Sequence, residues 1–217
     1  MSSLQVRFSQ ALPLVAILRG ITPDEVCQVG EDLLEAGFSI IEVPLNSPTP
    51  FNSIERLVKE FGEAAVCGAG TVTSTQQVLD VAQAGGKIIV SPNTNRNVIS
   101  TSKQQHLISM PGCMTPSEAL LAIEAGADGL KFFPADAIAP STIKSMKVTF
   151  PPQIPLFAVG GVDQNNMKQY LDAGITGFGI GSSLYKPGKK RSEIQRDALS
   201  IVKGFQQARA LHLQEIS

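Results

Sequence analysis

Glu35-Ala36-Gly37-Phe38-Ser39-Ile40-Ile41-Glu42-Val43 is the stretch that decides the fold. A helix-like segment closes on a glycine, and a short apolar run begins within four residues. The same junction recurs at Gln83-Ala84-Gly85 before Ile88-Ile89-Val90, at Glu124-Ala125-Gly126 before Leu130-Lys131-Phe132-Phe133, and at Asp172-Ala173-Gly174 before Phe178-Gly179-Ile180. Glycine suits the left-handed position that ends a helix, so each junction reads as helix, cap, strand. The four glycines stand 48, 41 and 48 residues apart, about the length of two strand–helix units.

Filling in the alternate units gives further strands at Leu14–Leu18, Val66–Gly68, Leu107–Met110 and Leu156–Val159, eight in all. The strands are continuous apolar runs, as in parallel sheets buried on both faces. Helix starts lie between them. Thr22-Pro23-Asp24-Glu25 places threonine at a cap, proline in the first turn and acids at the dipole's positive end, and Thr115-Pro116-Ser117-Glu118 repeats that chemistry. Eight units in 217 residues predict an α/β fold, a single (βα)8 TIM barrel over residues 1–217. A doubly wound open sheet is the alternative, but Ala16-Ile17-Leu18-Arg19-Gly20 lacks the Gly-rich fingerprint expected after its first strand. The basic segment Lys186 to Arg191 reads as a solvated loop leading into the last helix.

Composition narrows the function. Eighteen basic residues against 19 acidic ones leave no basic face for a nucleic-acid partner. Two histidines, His106 and His212, and three dispersed cysteines, Cys27, Cys67 and Cys113, offer no zinc-ligand spacing, so no metal is expected. The odd cysteine count suits a reducing compartment. The apolar run Ala11 to Leu18 is broken by Pro13 and stopped by Arg19; it is too short to span a bilayer and lacks a cleavage site. A cytoplasmic chain without a membrane partner is the expectation.

Strand ends of such a barrel face the active-site mouth. Here they carry Arg19, Glu42 with Asn46, Thr71, Asn93, Cys113, Lys131, Gly160-Gly161 and Gly181-Ser182. Lys131 lies in Gly129-Leu130-Lys131-Phe132-Phe133-Pro134, among apolar or small neighbours. Lost hydration depresses such a lysine's pKa, and a neutral amine can attack a ketone to form a Schiff base. The plainer alternative is a lysine that snorkels to solvent or pairs with a carboxylate. Glu42 lies in Ile40-Ile41-Glu42-Val43-Pro44-Leu45 and is either paired with Arg19 or Lys131 or tuned for proton transfer. The turns Val159-Gly160-Gly161-Val162 and Gly179-Ile180-Gly181-Ser182-Ser183 follow strands seven and eight, where barrels frequently bind phosphate through backbone N–H groups. Thr71 could hold a carboxylate or merely cap a helix. Cys113 and Met114 line the pocket or pack in the core, and His106 suits a helix end.

Ile17-Leu18-Arg19-Gly20, Glu42-Val43-Pro44-Leu45, Gly68-Ala69-Gly70-Thr71-Val72, Pro111-Gly112-Cys113, Leu130-Lys131-Phe132-Phe133-Pro134 and Val159-Gly160-Gly161-Val162 resemble, in order along almost the whole chain, the 2-keto-3-deoxy-6-phosphosugar aldolases. These are the class I, Schiff-base enzymes of the KDPG/KHG aldolase family. The resemblance implies that Lys131 forms the Schiff base and Glu42 is the acid/base residue. It also implies that Arg19 and Thr71 contact substrate, and that Gly160, Gly161, Gly181 and Ser182 take the phosphate. The substrate would be a phosphorylated keto sugar acid, the products pyruvate and glyceraldehyde 3-phosphate, the assembly a homotrimer, with no cofactor and no metal.

Within the family, Pro44-Leu45-Asn46-Ser47-Pro48 and Ala158-Val159-Gly160-Gly161 resemble the branch acting on the 6-phosphogalactonate epimer. The gluconate branch typically carries Leu-Arg-Thr at the first place and threonine before the glycine pair. Asn46 and Val159 are therefore candidate specificity residues, since a lost hydroxyl can change selectivity at C4. Phe132-Phe133-Pro134-Ala135 looks more like the gluconate branch and leaves that epimer as the alternative. A phosphosugar isomerase or epimerase, or a non-catalytic sugar-phosphate binder, would share the glycine turns without needing the buried lysine.

Overall fold

The computed structural model describes residues 3–216; residues 1, 2 and 217 of the expected 1–217 unit lie outside the described residues. Among the described residues there are nine strand segments: β1 (Leu14–Ile17), β2 (Ile40–Pro44), β3 (Val66–Gly70), β4 (Ile88–Val90), β5 (Ile108–Met110), β6 (Gly112–Cys113), β7 (Leu130–Phe132), β8 (Leu156–Val159) and β9 (Gly177–Ile180). The helices are α1 (Ser3–Gln10), α2 (Val26–Ala36), α3 (Pro50–Phe61), α4 (Thr75–Gln83), α5 (Arg96–Gln104), α6 (Pro116–Glu124), α7 (Pro140–Lys147), α8 (Met167–Asp172) and α9 (Arg191–Ile216).

All strand pairs are parallel, in the order β5-β4-β3-β2-β1-β9-β8-β7-β6. The two ends of that order, β5 and β6, are neighbours in the chain and are separated only by Pro111. Proline has no N–H to donate, so the strand is interrupted there. Its carbonyl nevertheless accepts from the Lys131 amide at 2.9 Å. Eight strands thus close into the expected barrel, the fifth in two pieces.

The junction glycines behave as read. Gly37, Gly85, Gly126 and Gly174 all have positive φ, between 81° and 106°. Thr115 caps α6 with a full capping box to Glu118, a device worth about 1 kcal/mol. The other helix start needs correction. Thr22–Glu25 forms a turn, and α2 begins at Val26 with no side-chain cap, because Glu25 Oε1 is already engaged by the Thr22 amide and hydroxyl. His106 does sit just past a helix end, at φ 58° after α5.

Side chains alternate along each strand, and one set fills the barrel. Val15, Ile40, Val66, Ile88, Val90, Ile108, Met110 and Phe157 form its lower interior. Phe8 of α1 joins them, its ring 6.0 Å from Phe157, so α1 closes the N-terminal end. The intervening residues, such as Leu14, Ala16, Ile41 and Ile89, pack outward against the helices in a second cluster. Among the described residues, no helix is long and apolar enough to cross a membrane.

Candidate active site

The alternation that buries Ile40 inside the barrel also turns Glu42, two residues on, to the same interior. Lys131 pairs in register with the inward Phe157 and faces inward likewise. Both charged groups therefore stand one layer above the hydrophobic plug, only 2% and 6% exposed. They line a cavity of about 720 Å³ at the C-terminal end of the strands. Arg19, Val159, Gly160, Gly161, Gly181 and Ser182 line it too, which brings together eight of the ten residues to which the family resemblance gives a role. A second cavity, about 660 Å³, opens near Phe8 and Arg209 at the opposite end and holds none of them.

Burial dominates the electrostatics. It pushes the Glu42 carboxyl up to about 7, against the opposing pull of the Lys131 and Arg19 charges. Burial also depresses Lys131; Glu42 opposes that shift and Arg19 adds to it. Glu42 Oε2 is buried without a hydrogen-bond partner. The ammonium of Lys131 lies 4.6 Å from the centroid of the Phe133 ring, in a cation–π contact. An acid whose pKa is raised and an amine whose pKa is lowered, lining one cavity, can exchange protons with, and attack, a carbonyl group.

Arg19 leaves β1 and reaches toward the ends of β2 and β3. Its Nη1 donates to Asn46 Oδ1 at 2.5 Å and its Nη2 to Thr71 Oγ1 at 3.4 Å. Asn46 and Thr71 therefore act on the guanidinium and are not among the cavity's lining residues. Thr71 has φ 59°, a left-handed conformation unfavourable for a β-branched residue. It is not a helix cap, since Ser74 caps α4.

The glycine turns differ in kind. Gly160 and Gly161 both have positive φ, and a side chain at Gly161 would meet the Asp136 β-carbon at 2.5 Å. At Gly181 a side chain would enter open space. The Gly181 carbonyl accepts from the Leu184 and Tyr185 amides at 2.9 and 3.0 Å, making a single helical turn that starts at Ser182 and Ser183. N–H groups at such a start lack intrahelical partners and suit an anion.

Other residues named from the sequence lie away from the cavity. Asn93 is exposed and lies off the cavity. Cys113 packs in the core, where burial pushes its thiol up to about 12, and Met114 is exposed. The basic loop is not simply solvated: Lys189 donates to the Ser183 and Leu184 carbonyls at 2.8 and 2.7 Å, and Arg191 chelates the buried Asp32. Sequence reading missed Tyr185, whose buried hydroxyl donates to Glu25 Oε1 at 2.9 Å and ties the β1 and β9 loops together. It also missed the role of Gly70, against which Glu42 packs. Among the described residues, no group of three or more His, Cys, Asp or Glu is placed to hold a metal ion.

Residues 6–199 match the model of the family described as Aldolase: KDPG and KHG aldolase. The chain is 46% identical over 193 residues to the Probable 2-dehydro-3-deoxy-6-phosphogalactonate aldolase of Rhizobium meliloti (strain 1021), covering 89% of this chain and 91% of that one. It is 42% identical over 203 residues to the 2-dehydro-3-deoxy-6-phosphogalactonate aldolase of Escherichia coli (strain K12), covering 94% and 99%. A solved structure described as native KDPGal superposes with a TM-score of 0.90 at 43% identity, covering 92% of this chain and 97% of that one.

Proposed function

Since the chain belongs to the KDPG and KHG aldolase family and is a carbon–carbon lyase, we propose that it cleaves 2-dehydro-3-deoxy-6-phosphogalactonate to pyruvate and glyceraldehyde 3-phosphate. The observation that carries the reading is the placement of Glu42 and Lys131. Both are buried on the barrel's inner face and line the cavity that also holds the two glycine turns.

In this reading Lys131 Nζ attacks the C2 carbonyl of the keto acid, and Glu42 delivers the proton with which the carbinolamine loses water. Glu42, directly or through a water, then takes the C4 hydroxyl proton. The C3–C4 electron pair moves into the iminium and leaves an enamine, while glyceraldehyde 3-phosphate departs. Protonation at C3 and hydrolysis release pyruvate and restore the amine. The amine is the electron sink, so the reaction needs neither metal nor cofactor. Arg19, held by Asn46 and Thr71, meets the substrate's anionic acid end. Gly160, Gly161, Gly181 and Ser182 receive the phosphate. One barrel domain over 1–217 carries the whole reaction, in a cytoplasmic homotrimer.

Turnover of the two C4 epimers tests the substrate. The galactonate compound should have the higher kcat/KM, and faster cleavage of the gluconate epimer would replace it with the alternative. A chelator should leave turnover unchanged; a loss restored by zinc would contradict amine catalysis.

A further inference from the structure

The basic run Lys186–Arg191 has two members committed to holding the fold. Lys189 clips the Ser183 and Leu184 carbonyls and pairs with Asp197 at 2.7 Å, and Arg191 pairs with Asp32 at 2.7 Å. Lys186 is different. It lines the reaction cavity beside Ser182 and Ser183, it is exposed, and its ammonium makes none of the hydrogen bonds or ion pairs found among the described residues. Its backbone is nonetheless fixed. The Lys186 carbonyl accepts from the Lys189 amide at 3.1 Å, Tyr185 before it is anchored to Glu25, and Pro187 after it packs at Gly20.

The charges around the glycine turns give that lysine work to do. Asp163 lines the same cavity, and the Asp136 side chain abuts Gly161, so two carboxylates flank the backbone that would receive a phosphate. A dianion near them is repelled unless a cation faces it. Among the residues lining this cavity, the other cations are Arg19 and Lys131. Arg19 is drawn by Asn46 and Thr71 toward β2 and β3, away from β8 and β9, and Lys131 lies buried at the floor.

We propose that Lys186 is a substrate-binding residue that pairs with the terminal phosphate at the cavity rim and so selects phosphorylated over unphosphorylated aldehydes. The proposal rests on the aldolase reading above, since it assigns a partner to that reaction's phosphate. A lysine ammonium suits this position because it is a point charge on a flexible stem, able to follow a phosphate in and out of an open mouth.

The test is condensation of saturating pyruvate with glyceraldehyde 3-phosphate or with D-glyceraldehyde, measured for wild type, K186A, K186R and K190A. K186A should raise KM for glyceraldehyde 3-phosphate about tenfold with little change in kcat, and flatten the rise of KM with salt. Its kcat/KM for D-glyceraldehyde should shift by less than about twofold, because no charge pair is lost there. K186R should recover most of the affinity, and K190A, a neighbouring lysine off the cavity, should match wild type. Equal losses for both aldehydes, or an unchanged KM for the phosphorylated one, would overturn the assignment. A wild type that condenses neither aldehyde would overturn the aldolase reading itself, a result distinct from any difference among variants.

Discussion

The carboxylate of Glu42 occupies the space that a side chain at residue 70 would fill, so the glycine of β3 and the acid of β2 form one fitted unit. The neighbouring Gly68, in register with Glu42, likewise leaves no room for a β-carbon against Ile88. Gly70→Ala should displace the Glu42 carboxylate by roughly the size of a methyl group. A misplacement of about 1 Å can cost about 10²-fold in rate. We expect kcat to fall by that order while the circular dichroism spectrum is retained. Full activity in Gly70→Ala would show that the position of the Glu42 carboxylate is not needed.

The raised pKa of Glu42 makes a paired prediction for rate and stability. The kcat/KM profile should inflect near pH 7, and Glu42→Gln should abolish the inflection along with most of the rate. For stability the sign follows from proton binding. Between pH 4.5 and about 7 the folded state keeps a proton on Glu42 that the unfolded chain has lost, so stability from this group falls as pH rises through that window. The loss is on the order of 3 kcal/mol once complete. Glu42→Gln should therefore melt higher than wild type at pH 8, with the difference vanishing at pH 4. A variant less stable at pH 8 would contradict the desolvation account.

Arg19 depends on two helpers of unequal strength, a 2.5 Å bond to Asn46 and a 3.4 Å bond to Thr71. Asn46→Ala should loosen the guanidinium and raise KM for the keto acid about threefold, with kcat nearly unchanged. Arg19→Lys should do worse, about tenfold or more, since an ammonium cannot span both partners and a carboxylate at once. Equal KM values across the three proteins would remove Arg19 from substrate binding.

Val159 is 4% exposed at the end of β8 and immediately precedes the Gly160 turn. A threonine there adds a hydroxyl at nearly constant volume, beside the cavity. Val159→Thr should shift the ratio of kcat/KM values toward the gluconate epimer by about tenfold. An unchanged ratio would place epimer discrimination elsewhere, with Asn46 the next position to test.

Much of this was legible in the sequence because the barrel repeats its punctuation. Glycines at positive φ closed each of the four junction helices, and strict alternation along buried strands placed Glu42 and Lys131 on the same interior. What escaped was non-local. Nothing in Glu42's own neighbourhood shows that Gly70 makes room for it, and the Tyr185–Glu25 bond joins residues 160 apart in sequence. Thr22-Pro23-Asp24-Glu25 misled because Glu25 Oε1 takes hydrogen bonds both from Thr22 and from Tyr185, a residue distant in sequence. For Cys113 the sequence offers pocket or core alike, and its side chain packs in the core, beyond the break at Pro111.

The central claim is that Lys131 is a buried amine that forms an imine with the keto acid. Incubation with pyruvate and borohydride, followed by peptide mapping, tests it most directly. The expected result is one reduced pyruvate adduct, on Lys131, absent from Lys131→Met, which should also lose retro-aldol turnover. An adduct on another lysine, no adduct at all, or full turnover in Lys131→Met would contradict the account.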